Sequence, residues 1–216
     1  MLAALEDEVA ADAVEEMHPS YQAALVGSLS DRRAAELLGN MSPDDAADLI
    51  ADLPLERRAK LLALMSKDDR EDVAELLTYP ERSAGGIMTT EFAHVSPDIT
   101  AAEAIERLRQ QEPEAETVYY IYVVDKSEHL LGVFSLRDLL MEPPLRKVRE
   151  FMTANPVTVR ANAGEDEVTQ LIAKYNLLAL PVVDEDNVLH GIVTVDDAID
   201  LVLPLAWKKR LPRIFH

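Results

Sequence analysis

The chain has 216 residues, 48% of them hydrophobic, with no cysteine and a formal net charge of -19. The length is enough to bury a substantial core in one large domain or two smaller ones. The missing cysteines exclude disulfides, thiolate catalysis and Cys-ligated zinc, and the charge excludes nucleic acid, because carboxylates repel phosphates. No stretch reaches the roughly 18 apolar residues that cross a bilayer. The acidic start Glu6-Asp7-Glu8 argues against a secretory signal, so a cytoplasmic protein is expected.

From the N-terminus, a twelve-residue period runs through SDRRAAELLGNM (30–41), SPDDAADLIADL (42–53), PLERRAKLLALM (54–65) and SKDDREDVAELL (66–77), with two weaker units before them. Each unit opens on Ser or Pro, continues with charge and closes on an apolar pair, which is the signature of one short helix. Ser42 ahead of Pro43 reads as an N-cap, and Asp44 and Asp45 suit the positive end of a helix dipole. Helices this short are marginal alone and must stack into a superhelix. This gives an all-α helical-repeat domain over residues 1–80.

Residues 81–86 contain Gly85-Gly86, too short for a phosphate loop, and are expected to supply a backbone turn at a hinge between domains. From 87 onward the texture changes to alternating strands and helices. Thr100–Gln111 reads as an amphipathic helix, and Tyr119–Asp125 and Leu130–Phe134 read as strands. A second copy follows, with Leu180–Asp184 matching Ile121–Asp125. Gly132 and Gly191 stand at equal distances after Asp125 and Asp184, Asp138 and Asp197 follow them at equal distances, and Met88 and Met152 open the copies. Two α+β units over 87–147 and 148–203 are therefore expected to pair, each covering the other's apolar face. The last segment, 204–216, carries four bases and no acid, unlike the rest of the chain.

The runs Leu180-Pro181-Val182-Val183-Asp184, Gly191–Asp197 and Gly132–Asp138 resemble a tandem CBS pair. The junction Tyr79–Thr89 and the run Glu116–Asp125, preceded by the helical repeats, resemble the intracellular region of MgtE-type magnesium channels, over roughly residues 18–203. The resemblance implies that the helical N domain and the CBS pair clasp Mg2+ between acidic faces and that loss of the ion lets them separate. It also implies metal contacts around the second CBS helix, where this chain offers Asp166, Asn176 and the backbone of Ala173. The family continues past Val202 into an acidic helix leading to the membrane, whereas this chain turns to Leu203-Pro204 and its basic tail. That departure reads as a soluble relative or the end of a larger soluble protein.

The residues themselves carry acid clusters suited to a hard cation that keeps several waters. Asp45, Asp48 and Asp52 stand at i, i+3 and i+7, and Asp197 and Asp200 at i, i+3. Two such faces repel each other without a divalent ion and close with one; the alternative is a solvated acidic surface. CBS pairs also bind adenine nucleotides, so ATP or AMP is a second expected ligand. Ser135, Arg137 and Asp138 in one copy, and Thr194 with Asp197 in the other, would hold ribose hydroxyls, and Leu180 and Pro181 would line the base cleft. Helix N-caps at Ser135 and Thr194 are the competing reading. Catalysis is not expected: the histidines have no metal-ligand spacing and no Ser sits in a nucleophile elbow. By analogy with other CBS pairs a homodimer is expected, with a membrane transporter as the regulated partner. Trp207, Lys208, Lys209, Arg210, Arg213 and Phe215 in the tail are expected to dock on anionic lipid, on an acidic partner or on the acidic body.

Overall fold

A computed structural model describes residues 7–111 and 117–202. The chain falls into two compact units that meet in sequence between Glu81 and Arg82. The basic tail, 204–216, and Glu116 lie outside the described residues.

The first unit is a run of short helices: α1 (Asp7–Glu15), α2 (Pro19–Ser28), α3 (Asp31–Leu38), α4 (Pro43–Ala51), α5 (Leu55–Leu64) and α6 (Lys67–Leu76). Each packs on the helix two places along, α1 on α3, α2 on α4, α3 on α5 and α4 on α6. The sequence period is a period of burial. Val14, Val26, Leu38 and Ile50, spaced by twelve, and then Leu61 and Val73 are each at most 1% exposed. Each repeat thus sends a fully buried residue inward at nearly the same spacing, the two weak early units included.

Helix ends leave unpaired backbone groups, and here later helices satisfy the earlier ones. The Gln22 amide donates to Val14 O (2.9 Å) and Glu15 O (3.1 Å) at the end of α1. Arg57 donates to Val26 O (2.7 Å), Gly27 O (3.2 Å) and Leu29 O (3.0 Å) at the end of α2. Its neighbour Arg58 does the same for Ala51 O and Leu53 O at the end of α4. At the starts, the Ser30 and Ser66 side chains accept from Arg33 N and Asp69 N. Ser42 departs from the expected cap. Its side chain makes no cap bond, and its own N–H donates instead to Glu15 Oε1 at 2.8 Å.

The second unit holds two sheets. The first has β1 (Phe92–Val95), β2 (Thr117–Val124), β3 (Leu130–Ser135) and β4 (Thr153–Ala154) in that order, with α7 (Ala101–Gln111) and α8 (Leu136–Met141). The second has β5 (Val159–Arg160), β6 (Ala179–Val183) and β7 (Leu189–Thr194), with α9 (Glu165–Tyr175) and α10 (Val195–Val202). In each copy a parallel pair is followed by an antiparallel one.

The copies exchange their opening segments. β4 belongs in sequence to the second copy but pairs with β3 of the first, and Thr89, at the start of the first copy, bridges Ile192 in β7 of the second. The equivalent glycines make room for this. A Cβ on Gly132 would stand 2.8 Å from Met152 Sδ and 2.9 Å from Thr153 O, and one on Gly191 would stand 2.5 Å from Thr89 O and 2.8 Å from Met88 Sδ. The methionines that open each copy therefore lie on the glycine of the other.

Between the sheets, Tyr122, Val124 and Leu130 of the first copy pack with Ala179, Val183, Leu189 and Ile192 of the second in one core. The bulky Tyr122 of this core stands at the first-copy position matched by Pro181 in the second. Gly85 and Gly86 do not supply a left-handed turn, since among the described residues no glycine has positive φ. They form a short 3-10 turn, Ala84–Gly86, held by the second copy.

Candidate functional site

The two caps expected to hold ribose are built alike. In the first copy, β3 delivers Ser135 to the start of α8, where its Oγ accepts from Asp138 N (3.1 Å) and donates to Asp138 Oδ2 (2.6 Å). Asp138 Oδ2 also accepts from Ser135 N (3.3 Å), completing a capping box. In the second copy the Thr194 hydroxyl donates to Asp197 Oδ2. Thr194 is buried while Ser135 and Asp197 are half-buried and Arg137 and Asp138 are exposed. The Ser135 arrangement serves helix capping as it stands, and both place a carboxylate where a vicinal diol could be accepted. Leu180 and Pro181 are consecutive in β6, so strand alternation turns them to opposite faces, and any single cleft takes only one of them.

The acid groups divide by position. Asp45 is half-buried and Asp48 exposed on α4, while Asp52 is exposed just past its end, at the C-cap with helical backbone angles. In α10, Asp197 is half-buried and Asp200 exposed one turn on. Asp166 lies in the first turn of α9, whereas exposed Ala173 and Asn176 lie towards its other end, about 10 Å and about 15 Å along the axis from Asp166 at about 1.5 Å per residue. One ion with ligand distances near 2.1 Å therefore cannot take Asp166 together with Ala173 and Asn176. Asn176 has φ 51 and ψ 49 and ends α9 as a left-handed cap, a backbone task that favours Asn over an acid. Among the described residues no three His, Asp or Glu side chains form a ready metal shell.

A second acid-rich helix is α6, from the repeat SKDDREDVAELL. On α6, Asp72 is held above the usual carboxylate range by burial first, then by the charges of Glu75, Asp69, Asp68 and Glu71. This helix packs on α4, so the acidic surface of the first unit is wider than Asp45, Asp48 and Asp52 alone.

The repeated Asp125 and Asp184 have a structural use. Asp125 Oδ1 accepts from Ser127 N (2.8 Å) and His129 N (3.1 Å), and Asp184 Oδ1 from Asp186 N (2.9 Å) and Val188 N (2.9 Å), closing the two hairpins. Asp125 sits below its ordinary range through the His129 side chain first and then these backbone donors; Asp184 does so chiefly through Val188 N. The two hairpin tips bond to each other through Leu130 N to Asn187 O (2.9 Å), Leu189 N to Glu128 O (3.0 Å) and the Asn187 amide to Leu130 O (2.8 Å).

A stack of short helices followed by two segment-exchanging α+β copies defines a regulatory-type CBS pair with a helical-repeat domain ahead of it. Family profiles agree: residues 1–82 match the MgtE intracellular N domain, and 84–144 and 148–204 match the CBS domain. The magnesium transporter MgtE of Thermus thermophilus is 47% identical over 130 residues, covering 60% of this chain and 29% of that protein. The crystal structure of the cytosolic domain of the Mg2+ channel MgtE in complex with ATP is 40% identical with a TM-score of 0.87, covering 93% of this chain and 82% of that one. That of the soluble part of a magnesium transporter is 35% identical with a TM-score of 0.88, covering 93% and 79%. Matches to inosine-5'-monophosphate dehydrogenases, such as that of Methanocaldococcus jannaschii at 30% identity over 119 residues, run through the CBS domains only. The chain belongs to the MgtE family, carrying the N domain and CBS pair of its cytosolic region. It spans about 29% of the length of the curated relative from Thermus. Among the described residues no helix is long and apolar enough to cross a membrane.

Proposed function

We propose that this chain is a magnesium-sensing regulatory module, without catalytic activity, acting in the cytoplasm on magnesium transport. Mg2+ would bridge the acidic face of the helical domain, with Asp45, Asp48 and Asp52, to that of the CBS pair, with Asp197, Asp200, Asp166, Asn176 and the Ala173 carbonyl. The observation that carries the reading is the joint match of both domains to a solved MgtE cytosolic region. The exposure of Asp48, Asp52 and Asp200 supports it, because an ion can reach them. A membrane transporter is the partner this implies, and the tail is a second route to a membrane surface. A homodimer through the CBS pair is supported by Leu140 and Ile199, which occupy matching positions on α8 and α10 and are 64% and 42% exposed.

Thermal unfolding with millimolar Mg2+ or matched sodium tests the reading. Mg2+ should raise the midpoint, and Asp45, Asp48 and Asp52 changed together to Asn should remove most of that rise. An equal rise in the triple variant would reject these ligands, and no rise in the wild type would reject the sensor. A second reading, adenine-nucleotide binding, is favoured by the Ser135–Asp138 and Thr194–Asp197 caps and by the relative solved with ATP. Calorimetric titration with ATP and AMP should show binding that Asp138→Ala or Asp197→Ala weakens at least about tenfold; no heat with either nucleotide would retire it.

A further inference from the structure

Tyr122 carries a hydroxyl that the packing of the CBS pair does not use. The residue is 1% exposed and its ring meets that of Phe92 edge-on at 6.0 Å, in the core where the two copies touch. Its Oη has no hydrogen-bond partner among the described residues. Burying such a donor costs free energy, because the bond it made to water is not replaced. Phenylalanine would fill the same space without that cost, and the second copy, with Pro181 at the matched position, has no hydroxyl there. Burial pushes the phenol above its ordinary range, with Tyr120 adding to the effect, so the group stays protonated and able to donate.

Strand register shows what borders this core. Tyr120 lies on the same face of β2 as Tyr122, packs against the core and pairs with Ser135, the cap of α8. In the second copy Ala179 belongs to the core and pairs with Thr194, which donates to Asp197 in the first turn of α10. The core that holds Tyr122 is therefore bordered by both candidate ribose caps. Alternation along β6 puts Pro181 on the same face as Ala179 and Val183 and turns Leu180 away, so Pro181 is the member of that pair on the inter-copy side. The two sides are unequal: Phe92, Tyr120 and Tyr122 bring rings from the first copy, where the second copy brings Ala179 and Pro181.

We propose that Tyr122 is a specificity-determining residue for the base of an adenine nucleotide, its hydroxyl donating to a ring nitrogen of a base that enters between the copies while a cap carboxylate holds the sugar. A flat heteroaromatic ring suits a space walled by aromatic side chains on one side and short ones on the other, and its edge supplies the acceptor that the protein lacks. The proposal rests on the adenine-nucleotide reading above and adds to it the group that reads the base.

Tyr122→Phe tests it on the whole chain, since the substitution keeps the ring and removes only the hydroxyl. Thermal unfolding without nucleotide should show a midpoint unchanged or raised, and calorimetric titration with ATP and AMP should show affinity lowered about tenfold. Unchanged affinity would overturn the proposal, and so would a lower midpoint without nucleotide, because the hydroxyl would then be bonded in the free protein. If Asp138→Ala or Asp197→Ala weakens binding while Tyr122→Phe does not, the nucleotide reading stands and the role of Tyr122 falls alone. No heat from the wild type with either nucleotide would remove both.

Discussion

The helical domain and the CBS pair solve the same problem, holding small repeats together, by different means. In the helical domain neighbours touch through side chains: buried apolar residues recur in every repeat, and Gln22, Arg57 and Arg58 reach back to finish earlier helices. In the CBS pair the copies trade backbone, each laying its opening segment on a glycine of the other. Side-chain fastening degrades in small steps when a residue is lost. Exchanged backbone joins two copies into one unit that fails together.

The largest expected effect tests that exchange. Gly191→Val puts a Cβ within 2.5 Å of Thr89 O, so it should cost at least about 3 kcal/mol and loosen both copies in urea unfolding followed by hydrogen exchange. Loss confined to the second copy would break the comparison. Arg57→Ala removes bonds to three carbonyls and should cost about 2 kcal/mol, seen as a lower urea midpoint of the helical domain with the CBS pair unchanged. Smaller still, Ser66→Ala should cost about 1 kcal/mol by loss of a true cap, while Ser42→Ala should cost less because its side chain makes no cap bond, only a 3.4 Å bond to Glu15.

Acid should separate the two units in opposite directions. Asp125 and Asp184 sit below their unfolded value, so the stability they give the CBS pair is present above about pH 4 and is lost as pH falls through their folded values. Asp72 sits above its unfolded value, so its penalty on the helical domain is present at neutral pH and is relieved as pH falls through its folded value and below about 4. Calorimetric scans from neutral pH downward, with Arg57→Ala marking the helical transition, should show the CBS transition falling faster. Asp72→Asn should raise the helical transition at neutral pH but not in acid.

Much of this was legible in the sequence, and the reasons differ between the units. The twelve-residue period marked every helix from α3 to α6, because local helix signals and burial share one spacing. Ser42 departs from its local signal because its N–H and hydroxyl bond Glu15, 27 positions earlier in the chain, rather than its side chain capping α4. In the CBS pair the matched glycines and methionines marked the repeat without revealing its logic, since the contacts they make join residues some 20 to 100 positions apart. Asp125 and Asp184 likewise marked the repeat but not the hairpins they close. Gly85-Gly86 signalled a turn at a hinge, but the Ala161 carbonyl that takes the Gly85 N–H lies far along the chain. For the candidate site, spacing located acids on helix faces but not the separation of Asp166 from Asn176 along α9, nor the crowd around Asp72.

The central claim is that Mg2+ draws the acidic helical domain and the CBS pair together, and small-angle scattering of the whole chain tests it most directly. The radius of gyration should fall on adding millimolar Mg2+ and stay unchanged with sodium at the same ionic strength. Equal compaction by both salts, or none by either, would contradict the account.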